Sequence, residues 1–236
     1  MKSTTAGSLG AASPMATTPV LTRELLDRQQ DLNLDYLDLV IAEQAFGGGL
    51  ACRFPDRVLE GLMECTFEQR QALAATAFSL YSLGFEEQYF WQSALRRTAL
   101  PVEARYRVPG SVAMETAFCE VALVHAWHVA VTRPIAARML YGMPTPLANR
   151  MSFTQLWQLK RIAADHPGLL MPRWPSNPRF WPDMIRFARA GDLQRLDTAQ
   201  QLGHQLMATE LQASAAHRSA THQRQQHLLL QRLKGA

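Results

Sequence analysis

From Thr22 onward, apolar residues recur at intervals of three and four: Leu25, Leu26, Leu32, Leu34, Leu37, Val40 and Ile41. That spacing lines them along one face of an α-helix. It predicts one helix from Thr22 to Phe46, or two if Asn33 interrupts it. Gly47, Gly48 and Gly49 stop the pattern, because ordering three glycines in a helix is entropically costly. Pro55 suits the first turn of a short helix carrying Val58, Leu59 and Leu62. Thr66 and Gln69 then form a capping box, in which the hydroxyl and the amide side chain each satisfy a free N–H at a helix start. The helix they open runs through Ala72, Leu73, Thr76, Ala77 and Leu80 and ends at Gly84. Glu86 to Leu95 reads as another short amphipathic helix, with Phe90 and Trp91. Pro101 and the pair Pro109-Gly110 mark residues 98–111 as a linker.

A long helix follows, from about Ser111 to Val131. Thr132-Arg133-Pro134 reads as a cap with Pro in the first turn of a helix through Ile135, Met139 and Leu140. Gly142, Pro144 and Pro146 make a turn, Leu147 to Arg150 a short helical piece. Ser152 and Gln155 form a second capping box, opening a helix through Leu156, Leu159 and Ile162 that His166-Pro167-Gly168 stops. Pro172, Pro175 and Pro178 give an extended loop anchored by Trp174, before Phe180-Trp181. Gly191-Asp192 breaks and recaps the chain, and a last helix carries Leu193, Leu196, Leu202, Leu206 and Leu211. The tail, 212–236, is rich in Gln, Ala and His and permits helix or disorder.

The same order of elements occurs twice. The stretches starting at Cys65 and at Met151 share Phe, Gln and Leu at matched places 86 positions apart, and Leu37, Ala51 and Ala77 align with Leu123, Ala137 and Ala163. Phe90-Trp91 recurs as Phe180-Trp181, 90 positions on, which implies four inserted residues. These patterns predict an all-α chain of two tandem helical units, 21–97 and 112–211; the competing reading is chance agreement between amphipathic helices.

Composition adds constraints. A hydrophobic content of 47% suffices for a core, and no apolar run reaches the length of a membrane span. Residues 1–20 are mostly Ser, Thr, Ala and Gly without an apolar stretch, which predicts a disordered leader rather than a secretory signal. Cys52, Cys65 and Cys119 are odd in number and widely spaced, as free thiols in a reducing compartment are, so a cytoplasmic location is expected. Charge divides the chain: residues 1–115 hold 10 Lys/Arg and 14 Asp/Glu, a net of −4, and residues 116–236 hold 14 and 6, a net of +8. Different partners for the two halves follow, or mutual attraction between them.

Candidate chemistry is sparse. No nucleophile elbow, phosphate loop or zinc-protease motif occurs, and Gly47–Gly49 lacks the Lys-Ser/Thr of a phosphate loop. Neither an enzyme nor a cofactor is expected. His125 and His128, three apart on one helix, could share a metal, but only Cys119 and Glu120 are near, so core or interface histidines are the favoured reading and no metal is expected. Arg133, Arg138, Arg150, Lys160, Arg161, Arg173, Arg179, Arg186 and Arg189 are the candidates for phosphate contact, against a solvated basic face. Arg150, Lys160 and Arg161 would lie near DNA if the capping-box helix and the short helix before it form a helix-turn-helix-like pair. Phe90, Trp91, Trp157, Trp174, Phe180 and Trp181 are assigned to a partner interface.

The second unit resembles the flagellar master-regulator FlhD family. The likeness runs over about residues 118–207, through Arg138-Met139-Leu140-Tyr141-Gly142-Met143, Leu147-Ala148-Asn149-Arg150-Met151-Ser152-Phe153-Thr154-Gln155-Leu156 and Gly191-Asp192-Leu193-Gln194-Arg195-Leu196. The first unit is similar more weakly, from Asp31-Leu32-Asn33-Leu34-Asp35-Tyr36-Leu37 to about Leu95. The resemblance implies a helical transcription co-activator that joins an FlhC-like, zinc-containing subunit in a hetero-oligomer and reaches promoter DNA through that complex. Two units in one chain would then form an intramolecular pseudo-dimer. Family members are about half this length, and where the family often carries an inter-subunit cysteine this chain has Met171 and Ser82, so no linking disulfide is expected. A helical adaptor or secretion chaperone, binding a protein without DNA, is the alternative.

Overall fold

The computed structural model describes residues 20–45, 49–96 and 113–234, except the side chains of residues 51, 214 and 216–234. The leader, most of the glycine hinge and the 98–111 linker lie outside the described residues. Helix α1 (Arg23–Ala45) is unbroken. Asn33 does not interrupt it but is fully buried at its middle. Its Nδ2 donates to the Ala74 carbonyl at 3.2 Å, Thr76 Oγ1 at 2.9 Å and the Phe78 carbonyl at 2.8 Å, and its Oδ1 accepts from the Leu80 N–H at 2.9 Å. A mid-helix Asn ordinarily competes for its own backbone; here its amide is occupied by a loop 41 to 47 positions away.

The next departure lies beside that clamp. A one-turn helical segment (Ala51–Arg53) and α2 (Asp56–Met63) precede α3 (Phe67–Ala74). The Thr66/Gln69 capping box opens α3 as expected, but the helix ends at Ala74, and the Ala74 and Phe78 carbonyls and the Leu80 N–H bond to Asn33. Strand β1 (Tyr81–Ser82) follows, so Gly84, at φ 62°, turns the chain after a strand and does not end a helix. Helix α4 is Gln88–Ala94.

In the second half, α5 is Met114–Thr132, α6 Pro134–Tyr141, α7 Thr145–Met151 and α8 Leu156–Asp165. Strand β2 is Met171–Pro172, α9 is Phe180–Ala190 and α10 is Leu193–Lys234. Gly142 and Gly191 close α6 and α9 in the left-handed conformation, as helix-ending glycines do. Asp192 Oδ1 accepts from the Arg195 N–H and caps α10, whose backbone stays helical through most of the tail. The second capping box lies three residues later than expected. Ser152 closes α7, donating to the Asn149 carbonyl at 2.7 Å, and the box is Gln155/Gln158. Ser152, Phe153 and Thr154 are consumed in the turn between the two helices.

Strands β1 and β2 pair antiparallel, Tyr81 opposite Pro172 and Ser82 opposite Met171. Just beyond each strand the chain turns at positive φ, at Gly84 (62°) and at Trp174 (50°), 90 positions apart. Trp91 and Trp181 each donate their indole N–H to a carbonyl of these turns, Gly84 at 2.8 Å and Arg173 at 2.7 Å. Both halves feed one hydrophobic core, with Tyr36, Phe78 and Tyr81 packed among Tyr141, Phe180 and Trp181. Helix α10 closes it where Gly203 meets the Phe78 ring; a Cβ there would lie 2.2 Å from a ring carbon. A second link is the Arg53–Glu115 ion pair at 2.6 Å, both side chains largely buried, and Arg53 also donates to the carbonyls of Leu170 and Pro167.

Candidate functional site

Helices α7 and α8 meet at a corner formed by residues 152–154, and both pack on α5. The corner exposes Phe153 (75%) and Leu156. Lys160 and Arg161 are exposed on α8, but each has a carboxylate: Lys160 Nζ lies 2.6 Å from Glu120 and Arg161 Nε 3.0 Å from Asp165. Arg150, ending α7, lines a cavity of about 240 Å³ with Gln88, Gln92 and Pro146. Among the described residues it has no carboxylate partner.

Most of the remaining basic candidates are paired with a nearby side chain. Arg179 and Arg186 both pair with Asp183, at 3.7 and 2.8 Å, and Arg189 pairs with Glu64 at 2.6 Å. Arg138 donates to Thr145 Oγ1 at 2.9 Å, and Arg133 caps the start of α6. Arg173 is corrected outright. It is 3% exposed, donates to the Tyr141 carbonyl at 2.6 Å and pairs with Glu210 at 3.5 Å, so no phosphate can reach it. Exposed pairs of this kind contribute little stability, yet they cancel much of the field a phosphate would meet.

The aromatic assignments change too. Trp91, Phe180 and Trp181 are core residues, at most 1% exposed, and Trp157 is 9% exposed. Trp91, Phe180 and Trp181 hold the interior and are unavailable to a partner, whereas Trp157 lies outside that core cluster and lines a cavity with Arg161 and Asp165. Phe90 and Trp174 are half-buried; Trp174 donates to Glu210 Oε1 and packs edge-on against Phe180. The exposed apolar residues lie elsewhere. Helix α5 presents Met114, Val121 and Val131 to solvent, and α6 presents Ile135 and Met139. The sequence signal for them is that α5 is apolar on every side, and such a helix is ordinarily buried on every side.

His125 shares a hydrogen bond with the Tyr141 hydroxyl, and burial first, with His128 and Arg28 nearby, pushes its pKa down to about 4. It is neutral at ordinary pH. Among the described residues no group of three or more His, Cys, Asp or Glu could hold a metal ion. Burial pushes the Cys119 thiol up to about 12, far from a reactive thiolate. No helix among the described residues is long and apolar enough to cross a membrane.

No protein-family model, curated protein or solved structure matches the chain. The flagellar resemblance therefore rests on the residues that carry it.

Proposed function

We propose that this chain is a tandem FlhD-like co-regulator subunit, an intramolecular pseudo-dimer that joins an FlhC-like, zinc-containing subunit in the cytoplasm and contributes to promoter binding through that complex. The observation that carries the reading is the β1–β2 pairing. At the 90-position offset of Phe90-Trp91 and Phe180-Trp181, one more than the offset that sets Met171 against Ser82, Tyr81 corresponds to Met171 and Ser82 to Pro172, and each residue pairs with the counterpart of the other, which is the self-complementary pattern of a two-fold interface. The left-handed turns at Gly84 and Trp174 obey the same 90-position spacing. The Thr66/Gln69 and Gln155/Gln158 boxes lie 89 apart, so most of the inserted residues fall before α7, where the eight-residue α6 stands in place of the one-turn segment Ala51–Arg53.

The test is co-expression with an FlhC-like subunit, followed by promoter retention at low salt. The reading expects a stable complex that holds promoter DNA more tightly than either chain alone. Failure to form a complex overturns it. The second reading, a protein adaptor without DNA, is favoured by the carboxylates beside Lys160, Arg161, Arg179, Arg186 and Arg189. It expects a pulled-down partner and DNA retention that this chain does not alter.

A further inference from the structure

Helices α1 and α5 have the same inner face. Gln29, Asn33, Tyr36, Leu37, Val40 and Glu43 are buried on α1; 86 positions on, Glu115, Cys119, Ala122, Leu123, Ala126 and Val129 are buried on α5. Their outer faces differ completely. On α1 the outward positions are Arg28, Asp31, Asp35, Asp38, Ala42 and Ala45; on α5 the matching positions are Met114, Ala117, Val121, Val124, His128 and Val131. The α5 set is spaced three, four, three, four, three, the repeat by which one helix packs lengthwise against another. All are exposed except Val124, which is half-buried.

We infer that this α5 face pairs antiparallel with the same face of a second copy of the chain. The seam holds no Asp, Glu, Lys or Arg, so two copies meet without like charges opposed, and it offers a charged partner nothing to pair with. Among the described residues, α1, its counterpart in the fold, carries acidic residues at the same positions and cannot serve as the mate. Direction follows from side-chain volume. An antiparallel two-fold midway between Ala122 and Leu123 sets Met114 against Val131, Ala117 against His128 and Val121 against Val124, so that the small Ala117 faces the larger His128. A parallel pair sets Ala117 on Ala117 and His128 on His128, leaving a void and a crowded layer, both of which destabilise packing. The 19-residue helix is roughly 28 Å long, and the six positions run most of its length.

The experiment is sedimentation velocity on the full chain, alone, at tens of micromolar. The expected mass is twice 26.5 kDa. Val121→Glu should raise the dissociation constant by roughly 100-fold, the effect of forcing a charge into an interface core, with far-UV circular dichroism and thermal midpoint unchanged because the site is solvent-exposed in the monomer. Val121→Ala should weaken the dimer by a smaller factor and guards against misfolding of the glutamate variant. Direction is read by cysteine crosslinking in a Cys52→Ser background: the Val121→Cys, Val124→Cys double variant should crosslink far faster than Val121→Cys alone. A monomeric wild type overturns the inference, as does a dimer indifferent to Val121→Glu. Equal crosslinking by the single variant overturns the antiparallel arrangement. No partner or DNA enters these measurements, so their outcome is independent of the co-regulator reading.

Discussion

Helices α1 and α5 occupy matching places and bury matching positions, yet they hold the fold by different means. Helix α1 brings bulk and polarity inward: Tyr36 fills the space between Tyr81 and Phe118, its ring centroid 5.3 and 5.9 Å from theirs. Helix α5 sets Ala122 at the matching place and is apolar nearly throughout. A large side chain on one helix opposite a small one on the other is how two similar helices share one tightly packed core. Outward the contrast reverses, with acids on α1 and apolar residues on α5. Helix α1 thus buries Tyr36 and the Asn33 clamp and turns acids outward, while α5 buries small residues beside Glu115 and His125 and turns an apolar face outward.

The sharpest way to break this comparison is at Asn33 and Cys119, which hold the same buried position. Asn33→Ala removes four hydrogen bonds to the 74–80 loop and leaves the Leu80 N–H unsatisfied, while Thr76 still bonds to the Ala74 and Phe78 carbonyls. A buried N–H left unsatisfied costs about 1–3 kcal/mol, so with the other bonds lost a destabilisation of about 2–3 kcal/mol is expected. Cys119→Ala deletes a single buried sulfur and should cost about 1 kcal/mol. Urea unfolding of both variants checks the pair; equal losses would mean that the two helices do not divide the work in this way.

The next contrast is acid stability. His125 on α5 corresponds to Leu39 on α1. Its folded pKa of about 4 lies below the ordinary 6.5, so between these values the unfolded chain binds the extra proton. The stability contribution is complete above pH 6.5 and lost as pH falls toward 4, by at most about 3 kcal/mol. His125→Leu, which copies the α1 residue, should flatten that window, while at neutral pH losing the hydrogen bond to the buried Tyr141 hydroxyl should cost about 1–3 kcal/mol. Thermal midpoints across the window measure it, and an unchanged slope would show that His125 is not the group responsible.

Helix order and class were legible from sequence because periodicity and capping are local. The Thr66 box, the Gly142 and Gly191 stops and the Asp192 restart all depend on a few neighbouring residues. What failed depended on distant ones. Asn33 looks like a breaker until the loop it holds is brought beside it. Gly84 looks like a helix end because the chain before it is apolar, yet that chain leaves the helix at Ala74 and bonds to Asn33, Leu140 and Arg173. The Ser152/Gln155 box satisfies the local rule, but Gln155/Gln158 satisfies it as well, and the turn from α7 decides between them. Arg173 could not be told from its exposed neighbours, since its burial is imposed by Tyr141 and Glu210, far along the chain. The α5 contact face was present in the spacing yet hidden, because a helix apolar on all sides gives no sign of which side the core takes.

The smallest expected effect concerns the acidic face itself. Asp31, Asp35 and Asp38 lie three and four apart on α1, and burial together with the charges of Asp31 and Asp38 raises the Asp35 carboxyl above its ordinary pKa. Like charges at this spacing cost a few tenths of a kcal/mol each on a solvated helix. Asp35→Val, which places the α5 residue at the α1 position, should relieve that repulsion and raise stability by up to about 0.5 kcal/mol at low salt, with the gain shrinking as salt screens the neighbours. The sign separates two accounts of the stripe. If the acids only keep α1 wet, the variant is slightly more stable and loses no contact. If stability falls at every salt concentration, Asp35 has a favourable interaction in the folded chain, and the acidic stripe is not simply the solvated counterpart of the α5 face.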